Sequence, residues 1–357
     1  MKQTNASKRC VIRQKITVRF FSFTLLLPVL LLLTGCASLT FYTQAARGQA
    51  EITFKRKSVS KLIRNPETPK ELASQLQLSQ DLVNFAEKEL TLNASGSYRH
   101  FTNLQRENVV FIVYAAPEFS LEPKTWWYPI VGAQDYRGYF KKETAESLRD
   151  RLEEEGFDTY LGGVRAYSTL GFFKDPLLNT FIDYPEVDLA ELIFHELTHH
   201  RYYEKDETSF NEALAEVIAR EGTRRWLRKK KDSAALANYE LRLKRRSQIR
   251  NAIEQSIARL EILYQQDFSD DDLRTRKQQE FSTLQKTIAQ LFRGWKQKSN
   301  HFLSTPLNNA RLVAFTTYEA LVPKLEKCLA NYDYNLEIFL TEVEKKGPMI
   351  LNQEIPR

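Results

Sequence analysis

The apolar positions of the chain fall into three rhythms. The first is an unbroken apolar run, Phe20 to Leu33, behind a basic stretch that ends at Arg19. The second is a set of short β-branched and aromatic runs separated by turns. Val109-Val110-Phe111-Ile112-Val113-Tyr114, closed by Pro117, predicts a buried strand. Trp126 to Gly132 and Tyr136 to Phe140 predict short strands and turns. Asp158 to Phe173 predicts a strand broken by Gly162, Gly163 and Gly171. The third rhythm is helical. Leu72, Leu76, Leu82, Phe85 and Leu90 recur at helical spacing, residues 141–155 read as a helix stopped by Gly156, and helix dominates from Pro185 onward. Leu236, Tyr239, Leu243, Ile253, Leu260 and Leu263 keep a near-heptad beat. It returns after the acidic break Asp267 to Asp272, in Phe281, Leu284, Ile288, Leu291 and Trp295. Two long amphipathic helices with a short loop predict an antiparallel hairpin at about 223–298. The sum is a helix-rich α+β chain. Residues 36–65 are a tether or first helix, 66–345 the main domain, and 346–357 a tail.

The first apolar run is 14 residues, short for a membrane-spanning helix and suited to a signal-peptide core. Leu33-Thr34-Gly35-Cys36 follows it and resembles the bacterial lipoprotein cleavage box. The resemblance implies removal of residues 1–35 and acylation of Cys36, a stable membrane anchor at roughly 0.8 kcal/mol per buried CH₂. The alternative is an uncleaved anchor with an incidental Cys. Ala37 and Ser38 follow, with no Asp after the Cys. By analogy with lipoprotein sorting, that favours the outer membrane facing the periplasm. Of three cysteines this leaves Cys328 alone, read as a core residue without a disulfide.

Composition narrows the functions. The chain has 357 residues, 42% of them hydrophobic, 27% charged, and a net charge of +7. Six of its 52 Lys and Arg lie in the first 35 residues, which hold no acid; the remaining 46 nearly cancel 45 Asp and Glu. Nucleic acid is therefore not an expected partner. Protein partners are left open by the sequence.

His195-Glu196-Leu197-Thr198-His199 carries the chemistry. Positions four apart share a helix face, so both imidazoles can reach one Zn²⁺, and Glu196 can act as general base on a water there. Leu189, Leu192, Ile193 and Leu197 form an apolar stripe expected to pack on the sheet. Without a third ligand, the two histidines could merely pack. His200 leaves their shared face. Thirteen residues after His199 stands Asn211-Glu212, opening a second helix. This resembles the gluzincin metallopeptidases, the thermolysin and zinc-aminopeptidase clan. The resemblance implies that Glu212 is the third ligand and that Glu216, one turn on, orients His195 from behind. Glu204, Glu207 and Glu216 are rival ligands. The loop after His199 is shorter than in the better-known members.

Tyr136 to Phe140, Ala166 to Gly171, Asp175-Pro176-Leu177-Leu178, Phe210-Asn211-Glu212 and Leu307 to Leu312 occur in this order in a family of bacterial lipoproteins named as aminopeptidases. The chain resembles that family over nearly all of 36–345. The resemblance implies a zincin domain that hydrolyses peptides. Tyr318, with Tyr167 as alternative, is the expected oxyanion donor. Gly163 to Thr169, including Tyr167 and Ser168, is the expected substrate-pairing strand. No residue is assigned to the substrate's free amine. The basic stretch Arg224 to Lys231, with Lys244-Arg245-Arg246, would meet anionic headgroups or wall polymer, or else be a solvated face balanced by Asp270 to Asp272. The rival functions are an endopeptidase of misfolded envelope proteins and a scaffold with a non-catalytic zinc.

Overall fold

In a computed structural model, residues 36–129, 131–169, 173–297 and 305–352 are described. The chain divides into two compact units, 1–51 and 52–357. Helix α1 spans Cys36–Phe54, so the 36–65 segment begins as a helix. The side chain of Cys36 lies outside the described residues. No helix among the described residues is long and apolar enough to cross a membrane.

The second unit is built around a central strand. The β-branched run predicted from 109 forms β3 (Val110–Pro117), with Val113, Tyr114, Ala115 and Ala116 buried. It pairs antiparallel with β6 (Tyr136–Tyr139), in register Val113↔Arg137, and with β7 (Phe157–Val164), in register Val113↔Leu161. Helix α4 (Lys142–Glu154) packs on β3 and β7 through Ala145, Leu148 and Leu152. Gly156, at φ +85°, ends it: only a residue without Cβ takes this turn at little cost. Two smaller sheets stand apart. One joins β1 (Lys57–Ser58), β2 (His100–Thr102) and β8 (Leu177–Leu178). The other is a hairpin of β4 (Trp126–Tyr128) and β5 (Gly132–Gln134). The strand expected to run to Phe173 ends at Val164; Arg165 to Thr169 are loop, because nothing pairs with them past Val110.

Helices make the main core. Helix α5 (Glu186–Arg201) buries Leu189, Ala190, Ile193, Phe194 and Leu197. The stripe packs mainly against α3 (Lys70–Glu89) and α6 (Thr208–Lys229), not on the sheet as expected. Phe85 bridges these helices, 5.8 Å from the Phe194 ring and 5.2 Å from that of Trp226. The packing is tight at Gly222. A Cβ there would stand 2.7 Å from Leu90 Cδ1 and 2.8 Å from Phe194 Cδ2. Gly222→Ala should therefore destabilise by about 1–3 kcal/mol through overpacking, in spite of alanine's better helix propensity. Urea titration checks this, and a stabilised variant would refute the tight contact.

The hairpin is formed by α7 (Ser233–Tyr264) and α8 (Asp270–Gly294), capped by Asp232 and Ser269. Residues 223–229 belong to α6, so the hairpin begins later than 223. Its inner face buries Ile253, Leu260, Phe281, Leu284 and Ile288. Lys277, almost fully buried, donates to Asp158 at 2.6 Å and to the Glu118 carbonyl at 2.8 Å. Helix α9 (Asn309–Glu319) locks the same corner. Asn308 caps it, and Asn309 donates to the carbonyls of Pro117, Glu118 and Ser120 while accepting from Tyr264. The Asn-Asn pair is thus explained by packing of sheet, hairpin and α9. Two further helices, α10 (Val322–Asn331) and α11 (Leu336–Lys346), close the core. Cys328 is only half-buried, with its thiol 3.7 Å from the Ile350 carbonyl.

The basic stretch is answered mostly by the domain's own acids. Arg224 pairs with Glu240, Arg225 with Glu221, Lys229 with Glu89, Lys230 with Glu186, and Arg246 with Glu191 and Glu216. Asp270 and Asp271 pair with Arg274 in their own helix and do not balance it.

Candidate metal centre

One turn of α5 and the first turns of α6 bring three donors together. His195 and His199 project from the same face of α5. Glu212 enters from α6, which the six-residue link 202–207 folds back against α5. His195 Nε2 lies 3.2 Å from His199 Nε2 and 3.2 Å from Glu212 Oε2; His199 Nε2 lies 3.7 Å from Glu212 Oε1. Donors held at about 2.0–2.1 Å by a tetrahedral zinc are roughly 3.3–3.4 Å apart, so the spacing fits one ion. Two imidazoles and a carboxylate are also the donor set of an open zinc site. Among the described residues they are the one group that satisfies such a geometry.

The electrostatics agree. Burial pulls His199 down to about 4, which keeps it in the neutral form that binds metal. Burial also disfavours charge on His195, but the hydrogen bond and charge of Glu212, with Glu196 and Glu216, outweigh it and push this imidazole up to about 9. Burial opposes charge on Glu212 as well, yet His199 and His195 hold it below its ordinary range. The pocket therefore favours one positive charge between three donors, and a cation would take the place of the His195 proton. Glu196 is half-buried beside them. Burial pushes its carboxyl up to about 7, with Glu212 and Asp175 adding to the rise against His195 and His200.

Behind the triad, Glu216 Oε2 stands 4.0 Å from His195 Nδ1. Its other oxygen is clamped by Arg220 and Arg246, both at 2.8 Å, and these cations hold its carboxyl well below the usual range against burial. Arg220 also meets Glu319 at 3.2 Å and Glu326 at 3.3 Å. Arg246 reaches Glu191, which also takes Arg242 and the Tyr239 hydroxyl. The rivals Glu204 and Glu207 stay outside. Glu204 accepts from Tyr202 at 2.7 Å, and Glu207 is exposed where α6 begins.

The other expected site residues are placed differently. Ser168 donates to Asp175 Oδ2 at 3.1 Å, and the Thr169 N–H bonds the same oxygen. This segment is thus a loop tied to Asp175, where a strand was expected. Tyr167 packs edge-on to Phe140 at 5.3 Å, and burial with the Asp175 charge pushes its hydroxyl up to about 12. Helix α9 contains Tyr318, whose side chain lies outside the described residues. His200 leaves the triad face as expected and meets Asp175 at 3.2 Å, both side chains being buried. Two residues near the triad were given no role by the sequence reading. Asp175 is a hub buried by long-range contacts. Tyr203, whose ring is 6.3 Å from that of His199, accepts from Gln134 Nε2 at 3.1 Å. Only the spacing of Tyr203, four residues past His199, could have signalled it.

No curated protein and no solved structure matches the chain. A family model described as "Putative aminopeptidase" matches residues 40–353, nearly the whole of it. The resemblance read from the motifs is thereby borne out, and the chain belongs to this aminopeptidase family.

Proposed function

We propose that the protein is a zinc-dependent peptide hydrolase of the gluzincin type, an aminopeptidase held in the bacterial envelope by lipid on Cys36. The observation that carries this reading is the convergence of His195, His199 and Glu212 with Glu196 alongside. A bound zinc would supply Lewis acidity toward a peptide carbonyl and a water. Glu196, raised toward neutrality by burial, takes the water's proton and returns it to the leaving amine. Glu216 keeps the His195 ring turned toward the cation site. Tyr203 joins Tyr318 as a candidate donor to the oxyanion, since its ring stands against His199.

Zinc analysis together with turnover of a peptide panel tests the proposal. The expected result is one zinc per chain and hydrolysis that chelators abolish. Preference for N-blocked peptides would favour the endopeptidase reading, and zinc without turnover a scaffold. The anchor is tested separately: Cys36→Ser should move the protein from the membrane fraction to the soluble one. Unchanged fractionation would remove the lipid from the proposal.

A further inference from the structure

Attack on a peptide carbonyl puts negative charge on its oxygen, and a hydrogen-bond donor beside the metal stabilises that charge. Among the described residues, Tyr203 is the one tyrosine whose ring is set against a triad imidazole, 6.3 Å from that of His199 and inclined at 68°. Its hydroxyl lies in the field of the third donor as well. Burial raises the hydroxyl's pKa against the Gln134 hydrogen bond, and the charges of Glu212 and Asp206 add to the rise. Tyr203 therefore stands at the triad with its proton in place at neutral pH.

Gln134, a buried side chain on β5, constrains where that proton can go. Its Nε2 lies 2.8 Å from the Ala133 carbonyl oxygen, 3.2 Å from that of Val131 and 3.1 Å from the Tyr203 hydroxyl. Carbonyls only accept, so these two set the amide with its NH₂ end toward Tyr203. An amide nitrogen donates and does not accept. The Tyr203 oxygen is thus the acceptor in this contact, and its own proton is left for another partner. No group among the described residues takes it. The strand carrying Gln134 is held in place. The Ala133 N–H donates to Asp206 Oδ1 at 2.6 Å, and Thr208 Oγ1 donates to the Ala133 carbonyl at 3.3 Å. Asp206 belongs to the link that bears Tyr203, and Thr208 opens the helix that bears Glu212.

We propose that Gln134 is a positioning residue of the reaction: by donating to the Tyr203 oxygen it turns the tyrosine's proton toward the metal site, where Tyr203 hydrogen-bonds the oxyanion. This deepens the hydrolase reading and rests on it. As the attacked oxygen gains charge, the bond it accepts from Tyr203 becomes charge-assisted, while the bond from Gln134 stays between neutral groups. The pair therefore favours the transition state over the bound substrate. Without the amide, nothing fixes the hydroxyl's orientation, and water competes for its proton.

Turnover and binding test it separately, both on the zinc-loaded protein. With the panel peptide cleaved best, Tyr203→Phe should lower kcat by roughly 10²- to 10³-fold at unchanged KM and zinc content, the loss of one oxyanion donor. Gln134→Met should lower kcat by about 10- to 100-fold at unchanged KM, as when the support of a functional group is removed. The double variant should be no slower than Tyr203→Phe, because Gln134 acts through that hydroxyl. A merely structural role would add its own loss. Calorimetry then compares the phosphinic analogue of Leu-Gly, whose tetrahedral oxygens mimic the oxyanion, with leucinethiol, which offers zinc only a sulfur. Both single variants should weaken the phosphinate and leave the thiol unchanged. If Gln134→Met does not fold, Gln134→Leu takes its place. Full kcat in Tyr203→Phe, additive losses in the double variant, or equal weakening of both ligands overturns the proposal. Absence of turnover in the unaltered protein would defeat the hydrolase reading, and the calorimetry would still decide the Tyr203 contact.

Discussion

Replacing Glu196 with Gln is expected to lower peptide turnover by roughly 10²- to 10⁴-fold while the protein keeps its zinc, the range a lost general base accounts for. Glu196 lies next to His195 in sequence but contributes no atom to the triad, so its loss should not empty the site. The amide has the shape of the acid and cannot accept a proton from water. The neighbouring fields make the carboxylate suited to the task. Burial raises it to about 7, close to the pH at which a base both holds and releases a proton readily. Glu212→Ala is the contrasting variant. It removes a donor and leaves two imidazoles, so its zinc content should fall along with its turnover. Metal analysis beside kcat separates the two roles. Wild-type turnover in the Gln variant would remove Glu196 from the mechanism, and full zinc in the Ala variant would move the third donor elsewhere.

What the sequence discloses about this site is what the helix discloses. His195 and His199 are one turn apart, and Glu212 and Glu216 are one turn apart, so each pair is legible as spacing. Contacts that join distant segments are not. Asp175 reads locally as a turn before Pro176, yet it collects Ser168, Thr169 and His200 from both sides of the chain. The fold divides in the same way. Strand β3, the helical hairpin and the stop at Gly156 follow from period and turn chemistry. The surface that receives the α5 stripe does not, because an apolar face fits a sheet and a helix equally well. The basic stretch misleads for a related reason: charge runs show where cations are, but their partners Glu89, Glu186 and Glu240 are remote in sequence or across a loop.

Buried and exposed cations of α6 should differ in weight, and Arg220→Met should be the costly change. Arg220 is only 3% exposed and joins Glu216, Glu319 and Glu326. Removing one member of such a buried set leaves uncompensated charge, a loss of about 3–5 kcal/mol. Arg246 still reaches Glu216 and Arg250 still reaches Glu319, so the lower end of that range is expected. The same change frees Glu216 from one of its two clamps, and Glu216 stands behind His195. Zinc affinity should weaken by about 10- to 100-fold, as when the support of a ligand is lost. Lys229→Ala is the control. Lys229 and Glu89 are both about half exposed, at 54% and 49% of their side chains, so screening and side-chain entropy leave their pair about 1 kcal/mol or less. Urea titrations of the two variants, each followed by zinc competition, read both quantities. If Arg220→Met costs no more than Lys229→Ala, the buried charges do not hold the hairpin and α9 to the metal helices. If stability falls while zinc affinity is unchanged, Glu216 does not position His195.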